Sequence, residues 1–176
     1  MIPQLTHIGL FTQQIEELEK FYTTVLKLKV TDRGLLARMN NTPIVFLSGS
    51  ETSHHQLVLA VGDKPTVMQQ LSFKVKTLAD IRIAAKAASD YGVKGLRPWD
   101  HGNAWSVYFF DPQENLVEVY MDTVWHVAQP HGRPLDLSKT DKEIEHITFT
   151  AIKDDPTFCY MEEWQNKVSQ QLREIG

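Results

Sequence analysis

Laid over itself with a shift of 63 residues, the chain matches apolar with apolar at Ile8 and Leu71, Leu10 and Phe73, Val30 and Val93, Ile44 and Val107, and Phe46 and Phe109. The same shift sets His7 on Gln70 and His55 on Glu118. Two copies of one supersecondary unit account for this pattern, each burying its apolar face against the other. The four polar positions then fall into two symmetry-related pairs.

Apolar periodicity names the elements within each unit. A strand is expected at 5–10, interrupted by Gly9, and Ile15, Leu18, Tyr22 and Val25 then recur at helical spacing over 14–26. Short strands follow at 29–33, 36–39, 43–48 and 55–61, and Gly62-Asp63-Lys64-Pro65 marks a boundary. The second unit repeats the plan with a strand at 70–75 and a helix at 78–91, whose Leu78, Ile81, Ala85 and Ala88 share one side. Strands at 93–97, 105–110 and 116–121 complete it. The expected fold is α+β: one βαβββ module over 1–62, a second over 66–121, and an arm with a helical extension over 122–176.

In the extension, Trp125 to Pro134 has no regular period, while Thr140-Asp141-Lys142-Glu143 has the spacing of a capping box. Phe158, Met161, Val168, Leu172 and Ile175 share one side of a helix expected over 156–175. That apolar stripe needs a cover, and a homodimer resting partly on the arm or terminal helix is the expectation. A formal net charge of -4 gives no general attraction to nucleic acid, and no run of 18 apolar residues offers a membrane span. The single cysteine, Cys159, forms no internal disulfide. The composition suits a cytoplasmic protein.

Strand parity directs the polar residues. Glu118 alternates with Val117 and Val119, and His7 opposes Ile8, so both point to the helix-free side of a curved sheet. His55 has the parity of Leu57 and Leu59. Imidazole, carboxylate and an amide oxygen gathered in an otherwise apolar cup suit a divalent metal, Fe(II), Mn, Ni or Zn, with Gln70 donating only through its carbonyl oxygen. The competing structural reading has half-buried histidines with local hydrogen bonds, a solvated glutamate at a strand end and a surface glutamine. Trp99, Trp105 and the run Tyr108-Phe109-Phe110 suit either an aromatic pocket wall or the core.

Four stretches carry a family resemblance: His7-Ile8-Gly9-Leu10 with its following helix, Ser53-His54-His55-Gln56-Leu57, Gln70-Leu71-Ser72-Phe73-Lys74-Val75, and Ser106-Val107-Tyr108-Phe109-Phe110-Asp111-Pro112 running on to Asn115 and Glu118. Over residues 1 to about 121 the chain resembles the vicinal oxygen chelate superfamily of glyoxalases, bleomycin-resistance proteins and extradiol dioxygenases. The resemblance implies paired βαβββ modules forming an open cup around one metal. It is strongest to the catalytic half of extradiol ring-cleaving dioxygenases. For those enzymes it implies Fe(II) held by His7, Gln70 and Glu118, with Gln70 standing where a histidine is usual.

The same resemblance implies His55 as acid and base beside bound oxygen, and Tyr108 as a hydrogen-bonding partner of the substrate. It places His101 in a loop where a substrate-contacting histidine occurs, so His101 and Trp105 are the candidate pocket residues. The implied activity is cleavage of a catechol-type vicinal diol by dioxygen, with a small aromatic or vicinal-oxygen substrate. One alternative is a glyoxalase-like lyase or isomerase acting through an enediolate, with His55 as a fourth ligand. Another is a non-catalytic small-molecule binding protein. Relatives commonly carry glycine where Glu114 stands, so the turn there is expected to differ in backbone shape.

Overall fold

The computed structural model describes residues 7–36, 40–50, 55–62, 70–128 and 131–175. The expected strand residues 5–6 and 37–39, His54 and the boundary residues 63–65 lie outside the described residues. The first module runs β1 (Ile8–Thr12), α1 (Ile15–Thr24), β2 (Lys29–Leu36), β3 (Thr42–Ser48) and β4 (Leu57–Val61). The second runs β5 (Leu71–Lys74), α2 (Leu78–Tyr91), β6 (Arg97–Asp100), β7 (Ala104–Phe110) and β8 (Leu116–Asp122). Their sheets have equivalent orders, β1-β4-β3-β2 and β5-β8-β7-β6, and in each the first and last strands of the module pair in parallel. The architecture is therefore the paired βαβββ plan, with two open mixed sheets.

Local chemistry explains the boundaries. A capping box opens α2: Asp80 N donates to Thr77 Oγ1 at 3.1 Å and Thr77 N donates to Asp80 Oδ2 at 3.0 Å. Leu78, Ile81, Ala84 and Ala88 form its buried stripe. The helix closes at Gly92, whose φ of 82° lets its N–H reach the carbonyls of Ala88 and Ser89. Gly95 is also left-handed, at φ 70°. These two residues redirect the chain, so the strand expected at 93–97 begins only at Arg97.

One core serves both modules. Phe21 and Tyr22 of α1 are fully buried; Phe21 meets Tyr91 at 5.5 Å and Phe109 at 6.2 Å between ring centres, and Tyr22 meets Phe73 at 6.2 Å. The Tyr22 hydroxyl donates to Asp111 Oδ2 at 3.0 Å across a sequence separation of 89 residues. Asp111 also accepts from the backbone N–H groups of Gln113 and Asn115 and from Asn115 Nδ2. Within this turn Glu114 takes φ 63°. That left-handed backbone, which glycine adopts freely, costs an L-residue about 1–2 kcal/mol.

The two halves do not superpose uniformly. His7 and Gln70 are equivalent, each standing immediately before the first strand of its module. In the parallel pairs, however, Ile8 lies opposite Leu57 and Leu71 opposite Val117, so the second module is three residues shorter between these strands. Val58 accordingly occupies the register position of Glu118. His55 lies outside β4, before a bend at Gln56.

In the extension, α3 (Asp141–Ile152) starts at the Thr140 and Glu143 capping box that the spacing predicts. The terminal helix α4 (Met161–Ile175) begins later than residue 156, because β11 (Cys159–Tyr160) first pairs with β9 (Trp125–His126). Strand β10 (Arg133–Pro134) joins the edge of β6. Trp105, Trp125, Val127, Ile144 and Ile152 form a second core beneath the extension. Among the described residues, no helix is long and apolar enough to cross a membrane.

Tyr22→Phe removes one hydrogen bond to a buried carboxylate while preserving the ring packing. The expected loss is about 1.5–3 kcal/mol, read as a lower urea midpoint at unchanged slope.

Candidate functional site

Three neighbouring strands assemble the site around Glu118. Pairing sets Tyr108 of β7 and Ser72 of β5 directly opposite Glu118 of β8. Ser106 and Gln70 stand two residues before Tyr108 and Ser72 and so share that face. Glu118 is only 8% exposed, which makes its charge costly unless it is met by donors. Four donors meet it: Oε1 accepts from Tyr108 OH at 2.5 Å and Ser106 Oγ at 2.8 Å, and Oε2 from Ser72 Oγ at 2.6 Å and Gln70 Nε2 at 3.0 Å.

Burial, then the hydrogen bond to Glu118 and its charge, push the Tyr108 phenol well above its ordinary range. It therefore remains a protonated donor at neutral pH. His101 follows β6 and places Nε2 at 2.8 Å from the Tyr108 oxygen. Its Nδ1 lies 2.9 Å from the backbone carbonyl of His131, and since a carbonyl only accepts, Nδ1 carries a proton.

The extension holds that carbonyl in place. Arg133 donates through Nε and NH2 to Asp100 Oδ2 at 2.9 and 2.7 Å, and Thr148 Oγ1 donates to the same oxygen at 2.9 Å. Trp105 has the opposite parity to Ser106 and is 3% exposed; its Nε1 donates to Thr148 Oγ1 at 2.8 Å. The structure thus places Trp105 in the second core, away from Tyr108. Trp99 shares the face of Ser106 instead, and the Arg97 guanidinium carbon lies 5.1 Å from the Trp99 ring centre and 5.4 Å from that of Tyr108.

The remaining candidates belong to the first module. His7 and His55 lie edge to face, with ring centres 4.4 Å apart, and His55 lies 5.1 Å from Phe46. His7 and Gln70 line one cleft of about 780 Å³ between the modules, together with Leu57, Leu71, Ser72 and Phe73. The structure therefore joins Gln70 to Glu118 and His7 to His55. Among the described residues, no three or more His, Cys, Asp or Glu side chains are grouped so as to hold a metal ion.

Two imidazoles, a carboxylate and a carboxamide fit a divalent cation by donor chemistry. In the arrangement described, Gln70 presents its N–H to Glu118, so ligation through the amide requires the carbonyl to turn inward. Sequence reasoning passed over Ser72 and Ser106. Their parity with Gln70 and Tyr108 was the available signal.

Residues 4–119 match the model of the Glyoxalase/Bleomycin resistance protein/Dioxygenase superfamily, and the chain belongs to that superfamily. Two curated relatives come from Rhodococcus globerulus. Biphenyl-2,3-diol 1,2-dioxygenase 2 is 25% identical over 130 residues, covering 68% of this chain and 63% of that protein. Biphenyl-2,3-diol 1,2-dioxygenase 3 is 30% identical over 129 residues, covering 68% and 64%. The chain thus spans less than two thirds of the length of either relative.

Among solved structures, a glyoxylase/bleomycin resistance protein/dioxygenase domain from Frankia sp. EAN1pec superposes with a TM-score of 0.59 at 18% identity, over 70% of this chain and 100% of that one. A mutant of the fosfomycin resistance protein FosX from Listeria monocytogenes, in complex with Mn(II) and 1S,2S-dihydroxypropylphosphonic acid, gives 0.56 at 17% identity, over 70% and 96%. At these identities both structures show the shared fold.

The phenol geometry makes a pH prediction. Tyr108 and Tyr22 both have folded-state values raised above the ordinary phenol, chiefly by burial. Their contribution is complete below about pH 10, where an unfolded tyrosine is still protonated, and is lost as pH rises toward their folded-state values. Urea unfolding from about pH 8 upward should show stability falling above pH 10, with a shallower fall in the Tyr22→Phe/Tyr108→Phe double variant.

Proposed function

We propose that this chain is a metal-dependent ring-cleaving dioxygenase of the extradiol type, acting on a small catechol-like vicinal diol. The observation that carries this reading is the hydrogen-bonded row of Glu118, Tyr108 and His101, which sets a carboxylate, a protonated phenol and an oriented imidazole side by side. The likeness to two biphenyl-diol dioxygenases supports it. In the overall reaction one diol and one dioxygen give one ring-opened product. The carbon–carbon bond beside the two hydroxyls breaks, both oxygen atoms enter, and every proton is retained.

His7, Gln70 and Glu118 are the proposed holders of the cation, Fe(II) first and Mn, Ni or Zn otherwise. Bound there, iron supplies the electron path between diol and dioxygen. Tyr108 holds a substrate oxygen by turning its one proton from Glu118 to the substrate, and its high affinity for that proton keeps it a donor. His55 accepts the diol proton and returns it to the product. His101, fixed through Nδ1, steers the Tyr108 oxygen. Ser72 and Ser106 keep the Glu118 carboxylate from rotating.

A second reading has its own observation. The contact between His7 and His55 favours a four-ligand, glyoxalase-like lyase or isomerase, in which His55 joins the ligand set and no oxygen is consumed.

The test is anaerobic reconstitution with Fe(II), Mn, Ni and Zn separately, followed by oxygen uptake and yellow-product assays on catechol and biphenyl-2,3-diol. An α-ketoaldehyde thiol adduct serves as the competing substrate. Iron-dependent uptake should vanish in His7→Ala and Glu118→Ala. In Tyr108→Phe, loss of a hydrogen bond worth about 1.5–3 kcal/mol should lower kcat by roughly tenfold to a hundredfold. Isomerisation without oxygen use selects the second reading, and diol binding without turnover defeats both.

A further inference from the structure

The arginines whose side chains are described divide into two kinds. Arg33, Arg82 and Arg133 each hold a carboxylate, those of Glu19, Asp141 and Asp100. Among the described residues, no carboxylate forms an ion pair with Arg97, whose partners are the faces of Trp99 and Tyr108. Strand pairing sets Arg97 opposite Tyr108 and Trp99 opposite Ser106, so Arg97 lies on the concave face that carries Glu118.

Stacking of this kind orients a cation without consuming its donors. A guanidinium engaged through its π face keeps its N–H fork at the edge, in the plane that matches a carboxylate. Arg97 is solvent-exposed, so that fork is open to a ligand. Glu118, on the same face but two strands away, already has four hydrogen-bond donors of its own. A neutral catechol offers the fork only single hydroxyl oxygens, with no charged bidentate acceptor. A diol whose ring also bears a carboxylate can lie against Tyr108 and place its acid at Arg97.

We propose that Arg97 determines substrate specificity and that the ligand class of the concave face around Tyr108 is an anionic aromatic vicinal diol, a ring-carboxylated catechol. This rests on the diol-cleavage reading for the diol and on Arg97 alone for the charge. A bidentate guanidinium–carboxylate contact supplies the selectivity.

The experiment measures binding by anaerobic calorimetry of the Fe(II)-loaded protein, using 2,3-dihydroxybenzoate, 3,4-dihydroxybenzoate, catechol and benzoate as probes. At least one dihydroxybenzoate should bind about tenfold or more tightly than catechol, with the advantage shrinking as salt rises. Arg97→Gln should bring that ratio close to one. Arg97→Lys, which keeps the charge and loses the fork, should fall between. Equal binding of acid and catechol to the wild type, an advantage that survives Arg97→Gln, or no binding of any probe overturns the proposal. If the Arg97-dependent preference holds while oxygen produces no ring cleavage, the anion site stands and the diol-cleavage reading fails.

Discussion

A carboxylate withdrawn from water is the constraint on which the second module depends. Glu118 sits inside the sheet because hydroxyls from β5 and β7 and the Gln70 amide face it together. A slip of one residue in β7 would put Val107 or Phe109 opposite Glu118, on the face where Tyr108 now stands. The charge then has no donor from that strand, so the polar network selects the register as firmly as the apolar face does. The same network fixes the residues with which the site works.

The module plan and one face of the site were legible in the sequence. Helical spacing located α2, alternation aimed Glu118 at the concave side, and the family resemblance singled out Tyr108. His55 was harder to place because β4 starts at Leu57, and parity counted through the bend at Gln56 carries no direction. The three-residue difference between the modules arises from the lengths of their connections, which an apolar self-match tolerates. Trp99 and Trp105 look alike as letters. Only the folded pairing sets Trp99 opposite Ser106 and turns Trp105 to Thr148. The clasp of Arg133 on Asp100 spans 33 residues with no local period to announce it, so the arm's hold on His101 lay beyond a sequence reading.

Gln70 stands where the family resemblance leads one to expect a histidine ligand, and its hydrogen bond to Glu118 gives the amide a second role. An amide carries both a donor and an acceptor, so one side chain can either clasp Glu118 through nitrogen or turn its carbonyl toward a cation. A neutral imidazole offers the same two roles on a rigid ring, where changing role requires a change of tautomer or a turn of the whole ring. The substitution makes the resting clasp and the proposed ligation alternative states of one side chain. Binding of a cation would then compete with the hydrogen bond that Gln70 gives to Glu118.

The hydrogen bond from Tyr22 to Asp111 joins the first helix to a turn 89 residues later, within a core fed by both modules. Each half therefore lacks a finished interior until the other arrives. Folding kinetics should reflect this: helix formation is local and fast, while the docking that buries Phe21 and Tyr22 must first close a long loop. The slow event is the meeting of the two halves. A gene encoding a single ancestral half would have met the same need by pairing two copies, and fusion of the halves would have replaced a concentration-dependent encounter with an intramolecular one.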